Sequence, residues 1–562
     1  MRTIHRCVLR SSSFVLVLFI SLGFSCSKKE VKKQKCQLHL NINQDHLTLD
    51  PRRGADFSSV SVQFLIFEGL VRMTPYATKA PALAETVEIS DDLLKYTFHL
   101  REAYWSDGTP ITAFDFIQTW KDILNSNFPS PNAHLLFPIR NAELAKQGQI
   151  SDREIGIRAL DHKTIEVYLE QPTPYFLDML SFAIFHPVNQ SIAVRDSKWA
   201  EGKDGILVSN GPFRLKEWRH GYYIILEKNP YYWDASNVEL EEIRISLVNS
   251  EQTALQLYEQ GELDFLGLPF TGIVSDSVPN LLDRGMIKTT SLPASTICCF
   301  NMQSFPFHNK NIRKAFAYAI NRQEIINNVT QLEEENGIRL LPKALGFNSQ
   351  PFFEDGDIQR AQEFLEKGLK ELGTTIEKLG PIKLLHASSG IYPMVAQALQ
   401  TQWLKNLGIL VRLEGYEYKV FLDKLTKRDY QMGQCVWIAQ YLDPMNIFDR
   451  FKNRLLLKNY PGYDNPDYEK ILETSMKIGD TEERFQYLKQ AEALLVDDMP
   501  LTAIYHWKNA YLIKDYVQNF CFNPAGGYFF QEVSFDEGRK SELTPTLSKK
   551  HPLNLSAQIA VK

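Results

Sequence analysis

The sequence lacks a strong charge of either sign and lacks long apolar runs outside its N-terminus. Its 562 residues carry 62 Lys and Arg against 67 Asp and Glu, a net charge of −5. A nucleic-acid-binding protein needs a basic surface that neutralises phosphates, so this balance argues against a nucleic-acid partner. Beyond the N-terminus no apolar run is long enough to cross a bilayer, which argues against a polytopic membrane protein.

Cysteines are few, and the seven present form no metal-binding pattern. There is no C-x-x-C pair and no Cys/His cluster, so we expect neither a metal site nor a cofactor. The odd number left after the two N-terminal cysteines argues against a full disulfide framework. Cys298 and Cys299 lie in an apolar, strand-like stretch, where packing is the expected role.

Sequence signatures of hydrolases are also missing. The chain has no Gly-x-Ser-x-Gly and no His-Glu-x-x-His. These patterns supply the nucleophile of α/β-hydrolases and the zinc ligands and base of metalloproteases. We therefore assign no catalytic residue and expect a protein that is not an enzyme.

Residues 1–25 have the pattern of an export signal. A basic start precedes a short apolar core at 14–24, which is too short for a membrane span. The junction Ser25-Cys26 resembles a bacterial lipobox, in which the cysteine is acylated and becomes the new N-terminus. Cys26 is the predicted lipidation site, and the Lys-rich stretch 26–37 is the predicted tether. The expected location is the periplasm or cell envelope, as a membrane-anchored lipoprotein.

Strand-like and helix-like patterns alternate along the rest of the chain, which predicts a mixed α/β fold. Alternation at 96–101 predicts a half-buried strand, and apolar spacing at 312–320 and 482–495 predicts two amphipathic helices. Thr112 with Asp115 three residues later predicts a capped helix start. Asp443 before a proline predicts a second one. The chain is too long for one core, so two or three domains are expected.

Several segments, in this order and spacing, resemble the peptide-binding branch of the bacterial extracellular solute-binding proteins, the family of the oligopeptide- and dipeptide-binding proteins. The most specific is WSDGTPITAFDF at 105–116. The others are LDP at 49–51, FEGLV at 67–71, PALAE at 81–85, NGPF at 210–213, EKNPYYW at 227–233, GELD at 261–264, IRKAFAYAINR at 312–322 and WIAQYLDP at 437–444. The likeness extends from about residue 49 to about residue 530.

The resemblance implies a two-lobed periplasmic-binding-protein-like fold (type II, cluster C) with an extra third domain and a hinge between the lobes. The implied division is a discontinuous lobe I at 38–58, 186–293 and 508–540, an extra domain II at 59–185, a lobe III at 294–507 and a C-terminal tail at 541–562. Closure of such lobes on a ligand is domain motion about a few hinge residues.

The function that the resemblance implies is capture of oligopeptides or peptide-like ligands outside the cytoplasm and delivery to the permease subunits of an ABC transporter. A monomer is expected. Two alternatives stay open: a binding protein for a non-standard ligand, such as a modified or cell-wall peptide or a nickel chelate, and a secreted hydrolase or sensor module.

In this family an aspartate three residues after the tryptophan of the WIAQ segment binds the ligand's ammonium terminus. Here that position is Gln440, which can accept a hydrogen bond but brings no charge. Either another acid supplies the charge, with Asp45 or Asp264 as candidates, or the ligand lacks a free α-amine there, or the ligand is not a peptide. The second explanation is favoured.

The other predicted ligand-binding residues come from three segments. They are His46 near the first strand, Trp437 and Tyr441 beside Gln440, and Tyr505, His506 and Trp507 after the Met499-Pro500 segment. Aromatic walls and polar groups that meet a peptide backbone suit such a site.

Overall fold

The computed structural model describes residues 36–43, 48–54, 56–74, 78–196, 198–202, 207–522 and 529–536. This part of the chain is a mixed α/β fold with several sheets, as the sequence predicts. Within these ranges no helix is long and apolar enough to span a bilayer.

The α-helices of the described chain are, in order, α1 (Phe57–Ile66), α2 (Ala113–Leu124), α3 (Ala142–Lys146), α4 (Phe176–Leu180), α5 (Gln190–Ala193), α6 (Glu251–Glu259), α7 (Val278–Asp283), α8 (Lys310–Tyr318), α9 (Arg322–Ile325), α10 (Ile358–Leu372), α11 (Tyr392–Leu407), α12 (Tyr418–Lys427), α13 (Met445–Phe448), α14 (Pro466–Met476) and α15 (Thr481–Asp498).

The described strands are β1 (Gln37–Ile42), β2 (Val71–Met73), β3 (Lys79–Pro81), β4 (Ala84–Ile89), β5 (Lys95–Leu100), β6 (Ile157–Ala159), β7 (Thr164–Tyr168), β8 (Phe213–Arg219), β9 (Tyr223–Lys228), β10 (Glu242–Leu247), β11 (Phe265–Gly267), β12 (Lys288–Phe300), β13 (Glu335–Asn336), β14 (Ile382–Ala387), β15 (Val411–Tyr416), β16 (Met432–Ile438), β17 (Leu501–Ile513), β18 (Val517–Gln518) and β19 (Ser534–Phe535).

Local sequence signals account for several of these boundaries. The predicted strand at 96–101 is β5, and the predicted helices at 312–320 and 482–495 are α8 and α15. At the start of α2 the Thr112 amide donates to Asp115 Oδ2 over 2.8 Å, so the predicted capping pair is confirmed. Asn321 Oδ1 accepts from the Glu324 amide over 2.9 Å and caps the start of α9.

Three larger sheets organise the chain. One has the order β1-β10-β9-β8 and joins the first strand in parallel to a segment some two hundred residues later. A second has the order β4-β5-β7-β6 and is antiparallel. The third has the order β11-β17-β12-β16-β14-β15, with β13 paired to β17.

The two longest strands, β12 and β17, form the centre of the third sheet and run antiparallel to each other. Their pairing is interrupted between Ser291 and Ser295, where the register shifts. Pro293 lies inside this interruption and has no N–H to donate to a ladder. Two strands without regular pairing at one level are easier to bend there than elsewhere.

The core of α8 shows how helices cover this sheet. Ile312 and Phe316 are fully buried on the face that the apolar spacing predicts. The Phe316 ring lies 5.3 Å from that of Trp403 on α11, whose indole N–H donates to the Phe316 carbonyl over 2.9 Å. Burial of such aromatic pairs supplies both apolar area and a satisfied polar group.

Candidate functional site

Strands β12, β16 and β17 bring two of the predicted residues, Trp437 and His506, to one level of the third sheet. Ser295 on β12 pairs with Trp437 on one side and with His506 on the other. Residues directly opposite in antiparallel strands point to the same face. The Ser295 hydroxyl and His506 Nδ1 are 2.7 Å apart, and the pKa of His506 is lowered to about 3, chiefly by burial. His506 is therefore neutral at neutral pH.

Tyr505 and Trp507 alternate with His506 along β17 and lie at the level of Thr296. Tyr505 pairs with Thr296, and the Trp507 indole N–H donates to the Thr296 hydroxyl over 2.9 Å. Tyr505 is buried, whereas Trp507 is partly exposed. The predicted triplet on β17 is thus divided between the two faces of the sheet.

Trp437 and Tyr441 are both buried against aromatic rings. The Trp437 ring lies 5.5 Å from that of Phe451, and the Tyr441 ring stacks on Tyr175 at 5.4 Å with an interplanar angle of 2°. Tyr175 belongs to the segment before α4, more than two hundred residues away. The stack therefore connects the segment after β16 to the part of the chain predicted as domain II.

Gln440 follows β16 and makes a second connection to the same part of the chain. Its Nε2 donates to Asn132 Oδ1 over 3.0 Å, and Asn132 Nδ2 donates to the Gly54 carbonyl over 2.8 Å. The second bond fixes the Asn132 amide with its oxygen toward Gln440. Gln440 is then held with its carbonyl oxygen toward His134, with which it forms a hydrogen bond.

His134 lies next to Gln440 and is surrounded by positive charge. Its pKa is lowered to about 4, first by burial and then by Lys458 and Arg450, while a hydrogen bond with Gln440 opposes the shift. The ring is neutral at neutral pH. We refer to His134, Gln440, Arg450 and Lys458 as the cationic recess.

Arg450 in the cationic recess has no carboxylate partner among the described residues. Its Nε donates to the Asn446 carbonyl over 3.0 Å, and its Nη2 lies 3.2 Å from Asn446 Oδ1 and 3.4 Å from the Ile438 carbonyl. The remaining guanidinium nitrogen, Nη1, has no partner in the described chain. Burial lowers the pKa of Arg450.

Lys458 is the second cation, and it has no hydrogen bond or ion pair to any residue that the structure describes. Its side chain is exposed to solvent, yet burial and Arg450 lower its pKa to about 8.

Asp443, three residues after Gln440, stabilises this segment through a helix cap and an ion pair. Asp443 Oδ1 accepts from the Met445 amide over 2.9 Å, so the predicted cap at the start of α13 is confirmed. Both carboxylate oxygens also bind Arg484 of α15, at 2.7 Å and 2.6 Å. The Arg484 guanidinium lies 5.2 Å from the Tyr175 ring centroid. No local pattern in the sequence announced this ion pair.

Of the two acids that were candidates for the missing charge, Asp45 and Asp264, the structure describes only Asp264. Asp264 is buried, accepts from the His39 amide over 2.7 Å and binds the Tyr516 hydroxyl, so its carboxylate is committed to the fold. Asp45, His46 and Cys26 lie outside the described residues. Asp449, which the sequence did not suggest, is exposed, and burial raises its pKa. Its charge acts on the Tyr175 and Tyr441 phenols.

Metal binding has no support in the described residues. None of their His, Cys, Asp and Glu side chains forms a group of three that could hold an ion. Cys298 and Cys299 are buried and form no disulfide in this structure. The sulfur atoms of Cys299 and Cys435 are 3.5 Å apart.

Known proteins match this chain over most of its length. It is 35% identical to the oligopeptide-binding protein OppA of Bacillus subtilis (strain 168), covering 93% of this chain and 97% of that protein. It is 32% identical to the dipeptide-binding protein DppE of the same organism, covering 87% and 90%. The structure of the Escherichia coli murein tripeptide-binding protein MppA superposes with a TM-score of 0.74 at 25% identity, covering 89% and 99%.

The family model described as "Bacterial extracellular solute-binding proteins, family 5 Middle" matches residues 79–455, about two thirds of the chain. This range includes the capped α2, the stacked Tyr175 and the Gln440 segment. The chain belongs to family 5 of the bacterial extracellular solute-binding proteins.

Proposed function

We propose that this chain is the substrate-binding component of an ABC importer and that it captures a peptide or peptide-like ligand beside the Gln440 segment. The observation that carries the proposal is the match over nearly the whole length of relatives named for oligopeptide and dipeptide binding. A sequence match of this extent supports a shared function, whereas a shared fold alone would leave function open.

The proposed ligand lies between lobe I (38–58, 186–293, 508–540) and lobe III (294–507), with domain II (59–185) beside them. The lobes are joined through β12 and β17, and the proposed boundaries at 293/294 and 507/508 lie next to the register shift between Ser291 and Ser295. Interrupted pairing in both crossing strands supports a hinge at this level. Closure stabilises the complex only as far as the closed state binds the ligand better.

At the proposed site the protein binds the main chain of the ligand and one of its termini. Peptides share a backbone but differ in side chains, so hydrogen bonds to the main chain give general affinity. Gln440, held by Asn132, offers a neutral acceptor where relatives are expected to offer a carboxylate. Trp437, Tyr441, Tyr505, His506, Trp507 and His46 remain the proposed contacts around it.

Isothermal titration calorimetry with short synthetic peptides tests this function. We expect one peptide per protein chain and a ligand that is recovered with its mass unchanged. Asn132→Asp, which changes the partner of Gln440, should alter affinity, whereas Asn237→Asp in the exposed part of the 3₁₀ helix Ala235–Asn237 should not. New peptide termini after incubation would instead support the secreted hydrolase, and binding without any effect of gene deletion on peptide uptake would support a sensor.

We also propose that Cys26 anchors the mature chain to a membrane by a lipid and that the chain acts as a monomer. The support is the export signal and the Ser25-Cys26 junction. Cys26→Ser should move the protein from the membrane fraction to the soluble extract, whereas Cys36→Ser should leave it in the membrane fraction. Retention of the Cys26→Ser variant in membranes contradicts the lipid anchor.

A further inference from the structure

We propose that Cys299 on β12 and Cys435 on β16 are joined by a disulfide bond in the exported chain. The proposal uses the predicted export signal, because disulfides form and persist outside the cytoplasm. It does not depend on the ligand, since it concerns how the strand that precedes Gln440 is held to its neighbour. The spacing of the cysteines in the sequence does not indicate this pair, because 136 positions separate them.

The two sulfur atoms are in direct contact. They lie 3.5 Å apart, and the only other polar contact of either thiol within the described ranges is from Cys435 Sγ to the Gly433 carbonyl, at 3.6 Å. A disulfide bond is about 2.05 Å long, so the sulfur atoms need to approach by about 1.5 Å. Small rotations about the two Cα–Cβ bonds and a slight shift of the strands cover this distance.

The pairing of β12 with β16 places both thiols on one face of the sheet. Cys299 lies opposite Gly433, and Cys435 lies opposite Ile297, so the two cysteines are diagonal neighbours on antiparallel strands. A diagonal pair is at the long end of the separation that a disulfide spans. Because Gly433 has no side chain, the Cys299 side chain can extend along β16 toward Cys435.

Cys298 provides an internal comparison on the same strand. It follows Ile297 and precedes Cys299, so its side chain points to the opposite face of the sheet. Its apolar neighbours accordingly form a different cluster from the one that contains Cys299 and Cys435. The geometry therefore selects one of two adjacent cysteines as the partner of Cys435.

The bond forms by thiol–disulfide exchange with an oxidant that is itself a disulfide, such as oxidised glutathione or a disulfide-bearing oxidoreductase. The thiolate of one cysteine attacks the S–S bond of the oxidant, which gives a mixed disulfide and releases one thiol. The second thiolate then displaces the second thiol and closes the Cys299–Cys435 bond. Two electrons pass from the cysteine pair to the oxidant, and the two protons end on the released thiols.

This exchange belongs to the folding of the exported chain, before the strands are covered. In the folded protein Cys299 and Cys435 are only 1% and 3% exposed, and burial raises the pKa of the Cys299 thiol well above its usual range. A thiol in that environment carries little thiolate and is closed to an oxidant. The same burial protects the finished bond from reduction.

The bond fixes the strand register beside the candidate site. A shift of one residue would turn every side chain of β16 to the other face, including Trp437, which lies opposite Ser295. A covalent connection between residues 299 and 435 prevents that shift. It also restricts the unfolded chain, because it closes a long loop, and so it stabilises the folded state.

Peptide mapping without reductant tests the proposal. The full mature chain is purified from the cell envelope after free thiols have been blocked with iodoacetamide in denaturant, and it is then digested with trypsin. We expect the peptide with Cys298 and Cys299 to be linked to the peptide with Cys435, and the link to disappear on reduction. Recovery of both peptides unlinked and fully alkylated overturns the proposal.

Two variants identify the partner of Cys435. Cys298→Ala should keep the link, whereas Cys299→Ala should lose it. A link that survives Cys299→Ala, or one that is lost in Cys298→Ala, overturns the proposed pairing. The map of the unaltered chain decides by itself whether the link exists, so a variant that fails to fold does not remove the test.

Thermal unfolding tests the stabilising role. The linked chain should unfold about 5 °C above the same chain refolded with reductant, and Cys435→Ala should remove that difference. Equal midpoints for the linked and the reduced chain would overturn this role.

Discussion

Replacement of Arg484 by methionine removes one partner of the buried ion pair that supports the segment after Gln440. Arg484 and Asp443 are 3% and 7% exposed at the side chain, and both Nη atoms bind the carboxylate. The pair offsets a large desolvation cost that burial imposes on each ion. When Arg484 is lost, that cost stays with Asp443, and the free energy of unfolding should fall by about 3–5 kcal/mol.

Urea denaturation followed by far-UV circular dichroism measures this loss. The double variant Arg484→Met with Asp443→Asn should cost less than the sum of the two single variants, because neither charge is then left buried alone. Lys427→Met breaks the exposed pair with Asp423, whose side chains are 68% and 56% exposed, and should change stability by less than about 0.5 kcal/mol. A cost below about 1 kcal/mol for Arg484→Met, or strict additivity in the double variant, would refute the reasoning.

Two further predictions concern the site and the pH dependence of stability. Gln440→Asp should raise the affinity for free-amine peptides about tenfold by calorimetry, and a flat or lower affinity would mean that this side chain does not face the ligand's amine. Burial lowers the pKa of His186 to about 3 against 6.5 in the unfolded chain, so its contribution to stability is complete above pH 6.5 and is lost as pH falls toward 3. His186→Leu should therefore flatten the dependence of unfolding free energy on pH between 6 and 5 by about 1.4 kcal/mol per pH unit, and an unchanged slope would contradict a neutral buried ring.

Features set by neighbours in sequence could be predicted from the sequence. The cap formed by Thr112 and Asp115 and the cap formed by Asp443 depend on residues two or three apart, and both are present. The amphipathic spacing of α8 likewise identified its buried face before the fold was known. The overall fold and family followed from the order of the motifs, which no single segment establishes.

The surroundings of Gln440 could not be predicted in that way. Asn132 lies 308 positions earlier in the chain, and His134 reaches the same place from the same distant turn. No local pattern distinguishes Lys458 from the other lysines of the sequence. Asp264 was a reasonable candidate by charge, but the strand β1 amide and the Tyr516 hydroxyl occupy it.

The positions of Trp437 and His506 could be predicted only in part, because they depend on how strands from separate parts of the chain pair. Both were predicted as ligand contacts, and the structure pairs both with Ser295. Which face meets the ligand depends on the register of three strands from separate parts of the chain. Periodicity in one strand does not specify that register.

Native mass spectrometry of the purified chain with a defined peptide mixture tests the central claim most directly, because it reports both capture and chemical integrity of the ligand. The account predicts a one-to-one complex that releases, on denaturation, a peptide of the same mass that was added. A complex that releases cleaved or otherwise converted peptide, or the absence of any complex across the mixture, would contradict it.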